Sequence, residues 1–535
     1  MDTKKITYMK QFTELLMEAW PFGHAGEILL QHMKIDEDTY IYCPDFGIEA
    51  KGATEVIKAC DVLSSKAKNQ FHLLHTFGER TKNNGNSQTT CNSFGYEILK
   101  DIYDERIQFS YWRMEIECWP SEEGLAIKSF SVLKLIHMKP WSYEHTSEPG
   151  IFNLTGAQLE AYWQKNLKCE RICFDIEPDD YVRVRNVINR YLYGSPEDQL
   201  ALSRLTEKSY WDHPFLEAYK AEGLNAVRES YHKLQKLENA NAPHYIWKVF
   251  CANDPLIIEF DHNRIKLRLG TGAYQFYGKA YGVTHVPYPM MIRIGISEMV
   301  LTKEENWRVE SYKFISLLNP DDQAYIESKA PHTLEVAMER HAPQKQKDEN
   351  LNAEDVYQIE TILDYWTTRL KRGGLEEFVD EYMVNNANKE LRLLSGAVGY
   401  ENVRKTAKRM LTDILHKNPS MKKYPQFHNG GVPVIEISDD GTEAEMMCVD
   451  YCFGNIGMGI LYDEMQKERT YYPGLGLYYN RYVKDHGQWK MYSLGTKNDG
   501  LFNLPELYYT VGQSGGWSEH STKKLWPMPF EVFHY

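Results

Sequence analysis

The sequence predicts an α+β protein made of three tandem units, each opening on helices and closing on an antiparallel sheet. Two observations lead there. Three turn-and-strand segments recur at an equal interval, with 182 residues from Leu125 to Trp307 and 182 again from Trp307 to Trp489. Each starts with an acidic turn bearing Gly or Asn, at 122–124, 304–306 and 485–487. Each then alternates large apolar with polar residues, the signature of a half-buried hairpin strand. The second observation is helical periodicity ahead of every such region.

The elements follow in order. In the first unit a helix over 12–20 is stopped by Pro21, and a turn at 83–86 leads into a strand over 87–96. In the second, a helix over 181–193 places Val184, Val187, Ile188 and Tyr191 on one face. Strands at 256–260 and 264–269 follow, joined by Asp261, His262 and Asn263. In the third, a helix over 355–372 carries Val356, Ile359, Ile362, Leu363, Trp366 and Leu370 at the 3.6-residue period, with Gly373 and Gly374 as a stop. Strands at 434–437 and 442–453 flank an Asp439-Asp440-Gly441 turn. The predicted units are 1–140, 178–319 and 352–500. Connectors cover 140–178 and 319–352, the second polar enough through 343–350 to be an exposed linker. A tail over 501–535, rich in aromatics such as Trp517, Trp526 and Phe530, is expected to dock on a neighbouring unit.

Composition narrows the function. With 61 Lys and Arg against 75 Asp and Glu, the 535-residue chain carries a net charge of −14, the wrong sign for a phosphate-backbone binder. No apolar run reaches the roughly 18 residues of a membrane span, and the first residues lack the apolar core of a signal peptide. Nine scattered cysteines, an odd number, suit reduced thiols in a cytoplasmic protein. Cys169/Cys173 and Cys448/Cys452 have CxxxC spacing but no neighbouring ligand pair, so they are read as buried small hydrophobes rather than zinc ligands. His72 and His75 lack the glutamate of a zinc-protease helix. The glycines at 270–272 and 454–459 miss the dinucleotide and phosphate-loop patterns, and no Gly-x-Ser-x-Gly elbow occurs. No cofactor, metal, nucleic acid or membrane is expected.

In the third unit, the sequence runs from an initial helix through His428, the 434–437 strand and the Asp-Gly turn to the strands at 478–483 and 489–491. The second unit answers with Arg190-Tyr191, Tyr210-Trp211-Asp212 and the 305–309 segment. This order resembles the nuclear transport factor 2-like superfamily, in its SnoaL-like branch. The resemblance implies cone-shaped units in which a curved sheet wraps helices around an apolar pocket. It also implies relatives among ketosteroid isomerases, polyketide cyclases, dehydratases and non-catalytic binding modules. Three linked copies would form a pseudo-trimer within one chain.

On that resemblance His428 is the leading candidate for a pocket acid or base, since imidazole exchanges a proton near neutral pH. His72 falls at the corresponding point of the first unit, and Phe250, with His244 nearby, at that of the second. Tyr365 and Tyr191, on the opening helices, are candidates to orient a substrate oxygen. Related dehydratases pair such a tyrosine with an aspartate one turn on. Here no carboxylate follows Tyr365, and the first aspartate after Tyr191 is Asp198, so Asp364 or Asp450 would have to substitute in the third unit. The 37 tyrosines suit pockets for aromatic, steroid or polyketide-like ligands, and equally suit half-exposed strands. The expected function is a cofactor-free dehydratase, isomerase or cyclase acting on a small apolar oxygenated molecule. The alternative is a non-catalytic array that binds a ligand or a protein.

Overall fold

The computed structural model describes residues 2–68, 70–81, 87–100, 105–121, 124–138, 141–142, 156–169, 172–212, 220–241, 247–276, 289–318, 348, 350–372, 375–386, 388–393, 397–408, 427–454, 472–494 and 530–532. Its helices and strands form three sheets with helices packed between them.

Sheet 1 is preceded by α1 (Thr3–Ala19) and α2 (Ala25–His32). It comprises β1 (Tyr40–Cys43), β2 (Ile48–Lys51), then, after α3 (Ala53–Ala67), β3 (Gln70–Thr81), β4 (Ser87–Lys100), β5 (Glu105–Ser121), β6 (Gly124–Met138) and β7 (Trp141–Ser142). A short helix, α4 (Gly156–Tyr162), lies in the connector. Sheet 2 follows α5 (Pro178–Tyr193) and α6 (Pro196–Ala201). Its strands are β8 (Tyr210–Trp211) and β9 (Ala221–Glu222), then, after α7 (Leu224–Asn241), β10 (Trp247–Ala252), β11 (Leu256–Asp261), β12 (Arg264–Phe276), β13 (Pro289–Lys303) and β14 (Trp307–Leu318). Sheet 3 follows α8 (Ala353–Arg372) and α9 (Leu375–Tyr382). It holds β15 (Arg392–Leu393), then, after α10 (Tyr400–Lys408), β16 (Phe427–Gly430), β17 (Val434–Ile437), β18 (Glu443–Gly454), β19 (Tyr472–Asp485) and β20 (Gln488–Leu494). In the tail, β21 (Phe530–Val532) pairs antiparallel with residues 136–138 of β6.

Long antiparallel strands dominate, but the sheets are not purely antiparallel. A short early strand joins each late strand in parallel: β1 with β6, β8 with β14, and β15 with β20. These short strands come before α3, α7 and α10, so the helices do not all precede the strands. The first helix also begins nine residues earlier than its apolar pattern predicts, because the Asp2 carboxylate accepts from the Lys5 amide at 3.0 Å and caps it. At the start of α8, Asn352 and Asp355 cap one another through two 2.9 Å bonds. Within the stretch expected to be an exposed linker, Asp348 is 2% exposed and accepts from the Asn186 amide nitrogen at 2.7 Å.

The 182-residue interval has a physical basis in sheets 2 and 3. The indole of Trp307 donates to Asp180 in the first turn of α5, and that of Trp489 donates to Asp355 in the first turn of α8. Lys303 and Lys484 each add an ion pair of 2.8 Å to the same carboxylate. The last strand is thereby tied to the first helix. Leu125 has no indole to make this tie in sheet 1.

Each opening helix also packs on a neighbouring sheet. Helix α1 rests on β11 and β12, α5 on β17, and α8 on β3. Gln11 on α1 accepts from the Ile257 amide (3.3 Å), and Asn186 on α5 accepts from the Ile435 amide (2.8 Å). Where the three helices converge, Lys10, Arg185 and Glu360 stand 175 residues apart in sequence and are at most 6% exposed. Lys10 bridges Asp254 and Glu360 at 3.0 Å each. Arg185 pairs with Asp254 at 2.9 Å and with Glu360. Two cations therefore meet two carboxylates, and the set is neutral. Burial alone would raise the Asp254 carboxyl, but Lys10 and Arg185 hold it below its ordinary value. Thr7 and Tyr357 share a hydrogen bond of 2.6 Å alongside.

Removing one partner strands the others without solvent, which typically costs about 3–5 kcal/mol. Arg185→Met should therefore lower the unfolding free energy in urea by about that amount. A loss within experimental error would mean that the cluster is relieved by water or rearrangement.

Candidate functional site

The candidate residues are spread over all three sheets: Tyr191 and Asp198 belong to the helices of sheet 2, Tyr365, His428 and Asp450 to sheet 3 and its helix, and His72 to sheet 1. Tyr191 sits on α5 with 0% exposure, its phenol hydrogen-bonded to that of Tyr231 on α7. The Tyr191 ring lies 5.7 Å from that of Tyr312, and Trp211 lies 4.5 Å from Tyr231. Burial, then the adjoining Tyr231 and Tyr312 hydroxyls, raise the Tyr191 phenol well above its ordinary range, so it stays protonated. Farther in, Thr271 bonds Ser297 at 2.8 Å, and Ser297 bonds the Tyr312 hydroxyl at 3.3 Å. Tyr191 acts as core packing whose polar end is satisfied within the protein.

Asp198 is not brought to Tyr191. Its carboxylate accepts from the Ser195 amide at 2.8 Å and the Ser195 hydroxyl at 2.6 Å, forming the capping box that starts α6. His244, the candidate near Phe250, lies outside the described residues.

On α8 the expected match between Tyr365 and Tyr191 is displaced by one position. The residue 175 places after Tyr191 is Trp366, which is 6% exposed in the core beside Phe378. One residue along a helix is a rotation of about 100°, so Tyr365 points elsewhere and meets Tyr382 with ring centroids 4.9 Å apart. Asp364 is fully buried, and it packs against Gly78 of β3 in sheet 1.

The side chains of His428, Asp450 and His72 lie outside the described residues, but their backbone register is defined. His428 pairs with Cys452 and Gly430 with Asp450, so positions 428, 430, 450 and 452 share one face of the β16–β18 ladder. Gly430 identifies that face: a methyl group there would stand 2.8 Å from Leu363 of α8 and 3.5 Å from the Cys448 sulfur. The two positions thus belong to the helix-facing side of sheet 3. His72 pairs with Gly95 in sheet 1, and Phe250 pairs with the buried Ala273 in sheet 2.

A separate cleft of about 720 Å³ opens on the other face of sheet 2. It is lined by Tyr210, Glu259, Arg264, Lys266, Glu298 and Lys313, among others. Its charges answer one another, with Lys266 at 3.3 Å from Glu298, and Tyr210 donating to Glu298 at 3.3 Å. The cleft is polar and of mixed sign, unlike the apolar pocket expected. Among the described residues, no group of three or more His, Cys, Asp or Glu is arranged to hold a metal, and no helix is long and apolar enough to cross a membrane.

The residues that sequence reasoning missed are Lys10, Arg185, Asp254, Glu360 and Tyr231. The equal spacing of positions 10, 185 and 360 was a readable signal for three of them.

No family model and no curated protein matches this sequence. Among solved structures, part of the chain is similar to proteins with nuclear transport factor 2-like or cystatin-like folds. A candidate scytalone dehydratase from Novosphingobium aromaticivorans DSM 12444 is 18% identical, covering 26% of this chain and 85% of its own, with a TM-score of 0.21. A nuclear transport factor 2-like superfamily protein from Salmonella enterica is 15% identical, covering 26% and 92%, with a TM-score of 0.19. A cystatin-like protein of unknown function from Nostoc punctiforme is 16% identical, covering 27% and 90%, with a TM-score of 0.20.

Tyr191→Phe should cost about 1–2 kcal/mol, because it leaves the buried Tyr231 hydroxyl short of a partner. Asp198→Ala should cost about 1 kcal/mol as a lost cap. Both are read from thermal or urea unfolding of the full chain, and a neutral Tyr191→Phe would show that the buried hydroxyl pair contributes nothing.

Proposed function

We propose that this protein is a cofactor-free acid/base catalyst for a small, largely apolar, oxygenated molecule, acting as a dehydratase, isomerase or cyclase. In this reading the chain holds three tandem nuclear transport factor 2-like units that close as an internal pseudo-trimer. The working site lies in the third unit. The observation that carries the reading is the register of β16 and β18, which puts His428 and Asp450 two positions apart on the helix-facing side of sheet 3.

A histidine and a carboxylate on one enclosed face suit chemistry that removes one proton and returns another. Asp450 would orient the ring and favour its protonated form, while the surrounding apolar side chains keep bulk water away. The sheet 2 interior, closed by Tyr191, Tyr231 and Tyr312, has a structural role in this division of labour. That closure also favours the second reading for the second unit, a scaffold or interaction module without turnover.

The test is a panel of hydroxylated aromatic, steroid and polyketide-like compounds offered to the wild-type chain and to His428→Ala and Asp450→Asn. For any compound turned over, His428→Ala should lower kcat by about 100-fold or more. Equal turnover by wild type and His428→Ala removes that residue from the mechanism. Binding without turnover across the panel supports the non-catalytic array.

A further inference from the structure

The outer edge of β6 is covered piece by piece, and the last piece comes from the tail. On one side β6 pairs with β5 almost throughout, from Gly124 opposite Ser121 to His137 opposite Ser110. On the other side the cover changes in kind. The Ile127 carbonyl accepts from the Lys34 amide at 2.9 Å, and β1 pairs in parallel with Ser129, Phe130 and Ser131. Strand β1 then ends at Cys43, because Pro44 has no N–H to continue a ladder and the chain turns through 44–46. Two side chains stand in for it. The Val132 amide donates to the Cys43 sulfur, and the Lys134 amide donates to the Asp45 carboxylate at 2.8 Å. Beyond them, β21 lies antiparallel to residues 136–138.

The register of that last pairing defines what the edge accepts. Phe530 is opposite Met138, Glu531 opposite His137, and Val532 opposite Ile136. Successive residues of a strand alternate between faces, so the two apolar pairs share one face and the glutamate–histidine pair takes the other. Cross-strand pairs of this kind, apolar with apolar and acid with base, favour one strand order over another. The backbone supplies the attraction, since an uncovered strand edge is a row of unused donors and acceptors that draws in extended chain. A three-residue pairing gives few ladder bonds, each of modest net worth. Covalent connection sustains it by raising the local concentration of the strand.

We propose that residues 136–138 of β6 are a strand-acceptor site for an extended segment of another protein, one that reads large apolar, acidic, β-branched apolar and runs antiparallel to β6. Residues 530–532 occupy the site in the unbound chain and give way when the partner strand arrives. A partner with a longer strand gains ladder bonds that β21 does not make, and this offsets the advantage of the covalently attached competitor. The site lies on sheet 1, apart from the sheet 3 positions proposed for catalysis, and is independent of that reading.

The test uses a fluorescein-labelled peptide with the sequence of residues 526–535 and the full-length chain, either wild type or the double variant Glu531→Pro, Val532→Pro. Proline removes backbone donors and is excluded from ladders, so the variant's own strand leaves the edge. The peptide should bind the variant at least about tenfold more tightly than wild type, because an occupied site lowers apparent affinity by the fraction that is free. Hydrogen exchange at 136–138 should speed up in the variant and slow again when the peptide is added. Truncation after Pro529 removes the strand outright and decides the matter should the proline variant misfold. Equal peptide affinity for wild type and variant, no binding to the variant, or binding without renewed protection at 136–138 overturns the proposal. Dimerisation of wild type that the variant loses also overturns it, because the occupant would then be the tail of a second copy.

Discussion

A lysine, an arginine and two carboxylates with almost no access to water can coexist only if each is answered by another. Lys10, Arg185, Glu360 and Asp254 meet that condition at the convergence of α1, α5 and α8. Because Lys10, Arg185 and Glu360 come from helices far apart in sequence and Asp254 from the turn before β11, the neutral set forms only when all four segments are in place. Apolar packing would hold the helices together in several arrangements, whereas an ion cluster tolerates few.

Two of the interiors described differ in how they are completed. Between α5 and sheet 2, phenols close on one another and leave their hydroxyls satisfied. On sheet 3 the ladder presents Gly430 next to the positions of His428 and Asp450, and glycine leaves room where Leu363 of α8 comes near. Similar backbones thus support unlike surroundings, with the difference residing in a few side chains.

Much of the sheet architecture was legible in the sequence, because turns and period-2 alternation are local signals. The hairpins at 261–263, 439–441 and 485–487 are where the residues place them. The interval linking Trp307 to Trp489 was readable because each indole must reach the first turn of its own helix. The early helix start, the parallel edge contacts and the buried Asp348 were not, since a cap or a partner far along the chain decides each. The charged junction was hidden for a further reason. Hydrophobic periodicity assigns a charged helix position to solvent, and nothing local reveals that α1 is covered on two sides. Tyr191 and Asp198 are linked only by the family resemblance, a pattern that carries no information on which side chains each one meets. Their partners turn out to be Tyr231 and Ser195.

The residues at positions 10, 185 and 360 are a lysine, an arginine and a glutamate, equally spaced along the chain but different in charge. An assembly of identical subunits would place the same residue at all three points, and its axis would carry three like charges. Covalent continuity removes that restriction. Repeating any one of the three residues at all three positions would break the charge balance that Lys10, Arg185, Glu360 and Asp254 reach together.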